Sequence, residues 1–523
     1  MKRCAHRCGF LSFFHRASWT SAARILLFLP LLLSWPNAAP ASEAHYGGTL
    51  VFGVENNDFG GFDPIQSRGF APCDAIANGT ILERLFDLDA NQELVPVLGL
   101  AAEASADGKV WTIPLRQGVL FHDGTPFTAD AVVDHWMRLL NPENRFRGRQ
   151  ALQPIQSVVK IDDHTVAFHL AHPWILFPHV LASPRTATTT IPSPKAVAEG
   201  THHRAPVGTG PFRFEKWEPS NAFSVVKNPD YWRKDLPYLE RIVFRFMPDH
   251  QTRWASLQAG DIEAMWIDRG GIIRQAMGDT AMTVLDEEDN GAEIILLNTA
   301  KPPLDDPRVR QALAHAWNQA HYVRFGYQDC IPVVEHPFGP EADCRNSGYR
   351  THDPEVAKRL LAEYGKPVQL ECLHSDTQRG REAGAVLQQL CKQVGIEIRP
   401  VGLAFGPVIQ KVVKGDYQMS TWRIPSTFDP GPGLVRSFHS KSRGNFSHYA
   451  NPDVDLLLQA QWTETDPEKR REILCDIARI INRDVPLLYR GGAHHYVVIE
   501  KKVKGIPPMR QGIVALSEAW IEP

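Results

Sequence analysis

The stretch DPEVAKRLLAEYGKPVQLECLHSDTQRGREAGAVLQQLCKQVGIEIRPV, residues 353–401, decides the fold class. Asp353 is placed to cap the free N–H groups of a helix. Pro354 fits the first helical position, where its missing N–H costs nothing. Val356, Leu360 and Leu361 make one apolar stripe, and Gly365 stands where a helix end favours left-handed backbone. The apolar run 368–373 predicts a strand, 381–394 a helix closed by Gly395, and 396–401 a second strand. A strand–helix–strand unit implies parallel pairing, hence an α/β domain.

The same signals recur outward from this unit. Asp306-Pro307 and Asp466-Pro467 repeat the helix start of Asp353-Pro354. Thr128 is placed to cap a helix over 128–140, with Asp130 in its first turn and Val132, Val133, Trp136, Leu139 and Leu140 on one face. Residues 47–54 read as a strand leaving a turn, and 111–116 as a strand. Several α/β segments without an internal repeat point to lobes around a cleft.

Composition excludes several classes. The 523 residues are 43% hydrophobic and 22% charged, which is ordinary globular usage rather than a disordered, collagenous or coiled-coil chain. A net charge of -3 leaves no whole-chain electrostatic footprint for nucleic acid. Residues 1–44 differ from the rest. Lys2, Arg3, Arg7, Arg16 and Arg24 precede a short apolar run over 25–35, and small residues around Ala39 and Ala41 follow, as in a cleaved secretory signal. Cleavage after Ala41 or after Ala44 remains open. The run is about half of the roughly 20 residues a membrane-spanning helix needs. With no cysteine just beyond it, the expectation is a periplasmic chain that is not a lipoprotein.

Cys73, Cys330, Cys344, Cys372, Cys391 and Cys475 follow the leader. Cys330 and Cys344 flank a loop bearing proline and glycine and are the expected disulfide; Cys372, Cys391 and Cys475 are expected as buried thiols. Motifs for catalysis are missing: there is no G-x-S-x-G, H-E-x-x-H or Walker loop. No catalytic residue, metal site or cofactor is expected. Gly208-Thr209-Gly210-Pro211 reads as a tight turn, because Pro211 removes an N–H that a phosphate cradle needs. Trp422, Phe428 and Phe438 cluster with Arg423 and Asp429-Pro430, a composition suited to a small polar ligand. Trp422 also ends an apolar strand, so a place in the core stays open.

Several stretches together resemble one family. They are Asp107-Gly108 with 111–115, residues 120–132, 207–212, Asn228-Pro229-Asp230-Tyr231-Trp232 and Leu257-Gln258-Ala259-Gly260-Asp261. The series continues with 306–318, 353–365, Asn451-Pro452-Asp453-Val454-Asp455 and Asp484-Val485-Pro486. In order, they resemble the dipeptide, oligopeptide and nickel group of extracellular solute-binding proteins of ABC transporters. The resemblance implies a two-lobed α/β periplasmic-binding-protein fold with a hinged ligand cleft. Residues 45–83, 206–293 and 493–523 would form the first lobe's core, 84–205 an inserted subdomain, and 294–492 the second lobe. It also implies a monomer that performs no reaction, with an ABC permease and its ATPase subunits as partners and a small molecule as ligand.

For the ligand, the resemblance points two ways. Peptide binders of the family hold the α-ammonium with an aspartate three residues before the Asp-Pro of the second lobe; here that position is Ser426, with Asp429 nearby. A hydroxyl cannot supply the buried charge partner that an ammonium needs. Arg185 resembles the cleft arginine of the nickel-binding members, Trp422 their cleft tryptophan, and His439 or His448 falls near their cleft histidine. Phe62, Arg185, Trp422, Arg423, Ser426, Asp429 and His439 are therefore the candidate ligand contacts. A peptide or peptide-like solute is the leading ligand, and a nickel or other metal chelate, or another carboxylated small molecule, the alternative. A secreted hydrolase would need a nucleophile and base that no spacing supplies.

Overall fold

A computed structural model describes residues 44–55, 61–66, 76, 78–89, 92–146, 149–183, 189–338, 344, 346–424 and 429–523. The strands, in chain order, begin with β1 (Thr49–Val54), β2 (Phe86–Leu88), β3 (Leu94–Pro96), β4 (Glu103–Ala104) and β5 (Val110–Pro114). Next come β6 (Ile155–Asp162), β7 (Thr165–Leu170), β8 (Phe212–Glu218), β9 (Ala222–Lys227), β10 (Arg241–Phe246) and β11 (Ala264–Ile267). The long β12 (Met282–Leu297) precedes β13 (Val368–Ser375), β14 (Ile396–Leu403), β15 (Met419–Ile424) and β16 (Leu487–Glu500). Among the described residues no helix is long and apolar enough to cross a membrane.

The strand–helix–strand reading holds: β13 and β14 pair in parallel, joined by the helix Gln378–Lys392. Asp306, Asp353 and Asp466 each accept backbone N–H bonds at a helix start, and Gly365 ends its helix with φ 74°. Thr128 also precedes its helix, Ala129–Leu140, but its side chain makes no capping bond. The turn at Gly208–Gly210 lies against the chain before it, with Gly210 N–H donating to the Ile81 carbonyl at 2.9 Å.

Ten strands form one mixed sheet in the order β14-β13-β15-β12-β16-β11-β1-β10-β9-β8. Each half carries apolar layers on both faces. Around β13, Leu370 and Cys372 pack under the helices Pro307–Ala316 and Gln378–Lys392, while Leu373 and Ile294 face the helices Pro430–Phe438 and Pro467–Asp484. Around β1, Phe52, Phe244 and Val497 form one layer; Leu257, Ile273 and Val498 form the other. Between β1 and β8 the chain builds a separate antiparallel sheet, β4-β5-β7-β6, with its own core around Trp136 and Phe168.

Within the ten-stranded sheet, the halves meet at the pairing of β12 with β16. They are 16 and 14 residues long and pair antiparallel from Met282 opposite Glu500 to Leu296 opposite Leu487. The ladder breaks midway: Asp289 faces Ala493 and Ala292 faces Gly492, leaving Asn290 and Gly291 extra on β12. One step on, Glu293 faces Gly491 but Ile294 faces Tyr489, so Arg490 is extra on β16. Such bulges locally release the ladder and re-aim side chains.

The disulfide differs from the expected pair. Cys344 bonds Cys475, on the helix Pro467–Asp484, with Cα atoms 5.2 Å apart. Cys330 is a buried free thiol whose backbone carbonyl accepts the Tyr496 hydroxyl and whose Sγ lies 3.9 Å from the Gly270 carbonyl. That packing holds it against the other half of the sheet. Cys372 and Cys391 are buried thiols as expected; Cys73 lies outside the described residues. Because the bridge closes 131 residues, the chain-entropy model gives it about 5 kcal/mol. Cys475→Ser should lower the unfolding free energy by an amount of that order, and Cys330→Ala by much less. Non-reducing peptide mapping should recover a Cys344–Cys475 cross-link; a Cys330–Cys344 cross-link would contradict this pairing.

Candidate functional site

Strand ends from both halves of the sheet meet at one gap. Glu55 follows β1, Asp268 follows β11, and Arg379 lies in the first turn of the helix after β13. Ligands collect at the carboxyl ends of strands in open α/β sheets. Arg379 Nη1 lies 3.0 Å from Asp268 Oδ2, and Arg269 Nη1 2.9 Å from Glu382 Oε2, so two ion pairs cross the gap. Behind them Arg490 pairs with Glu293 and donates to the Tyr322 hydroxyl at 3.2 Å. Arg423 stands opposite Glu293 on the β12–β15 ladder.

Local sequence explains how these groups arrive. Thr377 caps the helix Gln378–Lys392 through Gly380 N–H. A Cβ at Gly380 would come within 2.0 Å of the Ser375 carbonyl, so glycine lets the helix start press onto the end of β13. That close approach delivers Arg379 to the gap. A cation at the positive end of a helix is unfavourable in itself; here Asp268 offsets it. Arg490 reaches Glu293 because it is the extra residue of the β16 bulge.

Electrostatics divides the carboxylates. Burial raises the pKa of Glu293, but Arg379, Arg490 and Arg423 overcome it and hold the group below the usual range. Asp268 behaves likewise: burial raises it, and Arg379 with Arg269 brings it down. Glu55 goes the other way. Burial and then the neighbouring Asp268 push it up, and Arg379, Arg253 and Arg269 offset only part of that. Its side chain is nevertheless open to water, so it lines a space that is wet but walled by protein. A cleft with charges of both signs suits a zwitterionic solute.

Among the described residues singled out from sequence, Arg423 alone reaches this charged group. Phe62 is 2% exposed and packs against Phe223 and Trp217 in the core beside β1, so it is a core residue rather than a ligand contact. Trp422 is half-buried, edge-on to Phe446 with ring centroids 5.7 Å apart. Asp429 is buried and fully engaged: it caps Gly431 N–H at 2.8 Å, pairs with Arg470, and accepts the Trp174 indole N–H at 2.9 Å. It is not available to an ammonium in this conformation. His439 follows the helix Pro430–Phe438; its Nδ1 accepts Lys441 N–H at 3.1 Å and lies 3.7 Å from Asp455. Arg185 and Ser426 lie outside the described residues.

Sequence reasoning did not find Glu55, Asp268, Glu293, Arg379 or Arg490. For Glu55, Asp268 and Arg379 the available signal was a charged residue directly after, or just beyond, an apolar strand; Glu293 and Arg490 lie inside the antiparallel strands β12 and β16 and carried no such signal. For Asp429, the signal was the Asp-Pro helix start already recognised at Asp306, Asp353 and Asp466. Arg470→Ala should leave Asp429 uncompensated in a side-chain environment with 0% exposure, costing about 3–5 kcal/mol in urea unfolding. A loss below about 1 kcal/mol, the value for an exposed pair, would contradict the buried pair.

These features match known proteins. The model of the bacterial extracellular solute-binding proteins, family 5 Middle, matches residues 93–446. The glutathione-binding protein GsiB of Pectobacterium atrosepticum is 27% identical over 457 residues, which is 83% of this chain and 87% of that protein. The solved structure of the periplasmic binding protein DppA from Helicobacter pylori, in complex with the peptide STSA, aligns with a TM-score of 0.83 at 24% identity. The alignment covers 92% of this chain and 99% of DppA. NikZ from Campylobacter jejuni, in complex with Ni(L-His), aligns with a TM-score of 0.77 at 24% identity over 89% and 97% of the two chains. Its sequence match and its two-lobed fold agree: the chain belongs to the family 5 bacterial extracellular solute-binding proteins.

Proposed function

We propose that this chain is the periplasmic receptor of an ABC importer and captures a peptide-class solute between its lobes. The observation that carries the reading is the interlobe gap at Asp268, Arg379, Glu293 and Arg490, where charges of both signs face one another across the cleft. A peptide carries an ammonium and a carboxylate, and guanidinium groups hold carboxylates bidentately. The peptide- and glutathione-binding relatives support the same class.

In this reading the lobe boundaries fall at the breaks in the β12–β16 ladder, near residues 290–293 and 490–492. The lobes swing there and close over the solute. The receptor itself performs no reaction; it works as a monomer, freed from its leader and not lipid-anchored, and hands the solute to a membrane permease whose ATPase subunits supply the energy. The nickel-chelate reading rests on Arg185, which lies outside the described residues, and on His439, which is engaged at a helix end.

A thermal-shift series tests the class, using dialanine, trialanine, glutathione and Ni(II) with L-histidine. A ligand at 100 times its dissociation constant stabilises the bound form by about 2.7 kcal/mol. The peptides should raise the melting temperature, and Arg379→Ala should remove most of that rise. A shift with Ni(II)–histidine and with no peptide would overturn the reading.

A further inference from the structure

Four carboxylates have been placed at the interlobe gap, and three have guanidinium partners. Asp268 is held by Arg379 and Arg269, Glu382 by Arg269, and Glu293 by Arg490. Glu55 is the exception: among the described residues no hydrogen bond or ion pair reaches its carboxylate. Arg253, which faces it electrostatically, turns its Nη1 to the Met247 and Pro248 carbonyls instead. Asp429, the carboxylate that the sequence did indicate, is closed off by Trp174 and Arg470.

Glu55 is also well placed. It directly follows β1, whose Phe52 and Gly53 pair in parallel with Ala264 and Met265 of β11. The two strands therefore end side by side, Glu55 next to Asp268, on the first-lobe wall facing Arg379 of the second. Water reaches the side chain. Burial and the like charge of Asp268 both disfavour its ionised form, and Arg379, Arg253 and Arg269 offset only part of that.

We infer that Glu55 is the ammonium site of the cleft, accepting a primary ammonium of the bound solute: the α-ammonium of a peptide or the side-chain ammonium of a lysine-like residue. The inference rests on the peptide reading above. An ammonium is a compact charge with three donors, and it enters a space that one carboxylate already lines. It relieves the repulsion between Glu55 and Asp268 while leaving the arginines on the opposite wall for an anionic end.

Isothermal titration of the mature protein and of Glu55→Gln tests this with four probes. They are dialanine (α-ammonium only), N-acetyl-alanyl-lysine (side-chain ammonium only), N-acetyl-dialanine (neither) and glutathione. The wild type should bind at least one of the first two at least about tenfold more tightly than N-acetyl-dialanine. Glu55→Gln should abolish that preference while leaving N-acetyl-dialanine within about twofold and the ligand-free melting temperature near that of the wild type. Whichever probe loses affinity identifies the source of the ammonium. If the wild type binds peptides without preferring a free ammonium, or if Glu55→Gln retains the preference, the role of Glu55 falls while the peptide reading stands. If no probe binds the wild type, both fall.

Discussion

Both lobes take their backbone pairing from the ladder between β12 and β16. Each lobe contributes strands to one side of it, β13–β15 flanking β12 and β11 with β1 flanking β16. Two strands are a narrow bridge between halves that each bury apolar layers on both faces. A continuous antiparallel ladder would be stiff; this one is interrupted on both strands at the level of the cleft. The bulges therefore combine two functions. In the proposed reading they give the lobes a place to swing; they also aim Arg490 at Glu293 in the cleft.

Magnitudes decide what holds the lobes closed. The pairs Arg379–Asp268 and Arg269–Glu382 cross the gap, but their side chains keep between 12% and 42% of their exposure. Such pairs are worth about 0–1 kcal/mol each. The contact of Trp174 with Asp429 adds one buried, charge-assisted hydrogen bond on the far side, worth about 1.5–3 kcal/mol. These contacts bias closure without locking it. The remainder has to come from a solute that touches both walls, since a ligand shifts a conformational equilibrium only by its differential affinity for the two states.

Architecture was legible because it rests on local rules. The residues at 353–401 declared helix, strand, helix and strand through caps and periodicity, and the ordered motifs extended that to the family. The cleft was less legible because its charges come from six separate elements and converge only in space. Glu55 and Arg379 are 324 positions apart in sequence, and no spacing rule links them. Asp429 misled for a physical reason: one residue type caps a helix and binds an ammonium, and only burial against Trp174 and Arg470 separates the two uses. Phe62 was a candidate ligand contact, yet its side chain turns into the core. Cys344 pairs across 131 residues, so the shorter loop to Cys330 was a poor guide.

The central claim is that the chain bends where β12 and β16 lose register and that a peptide holds the bent, closed form. Small-angle X-ray scattering of the mature protein, with and without a saturating peptide, tests it most directly. A smaller radius of gyration with peptide, and a ligand-free curve that requires an open form, are the predicted results. Superimposable curves in the two states, with the peptide demonstrably bound, would contradict the claim.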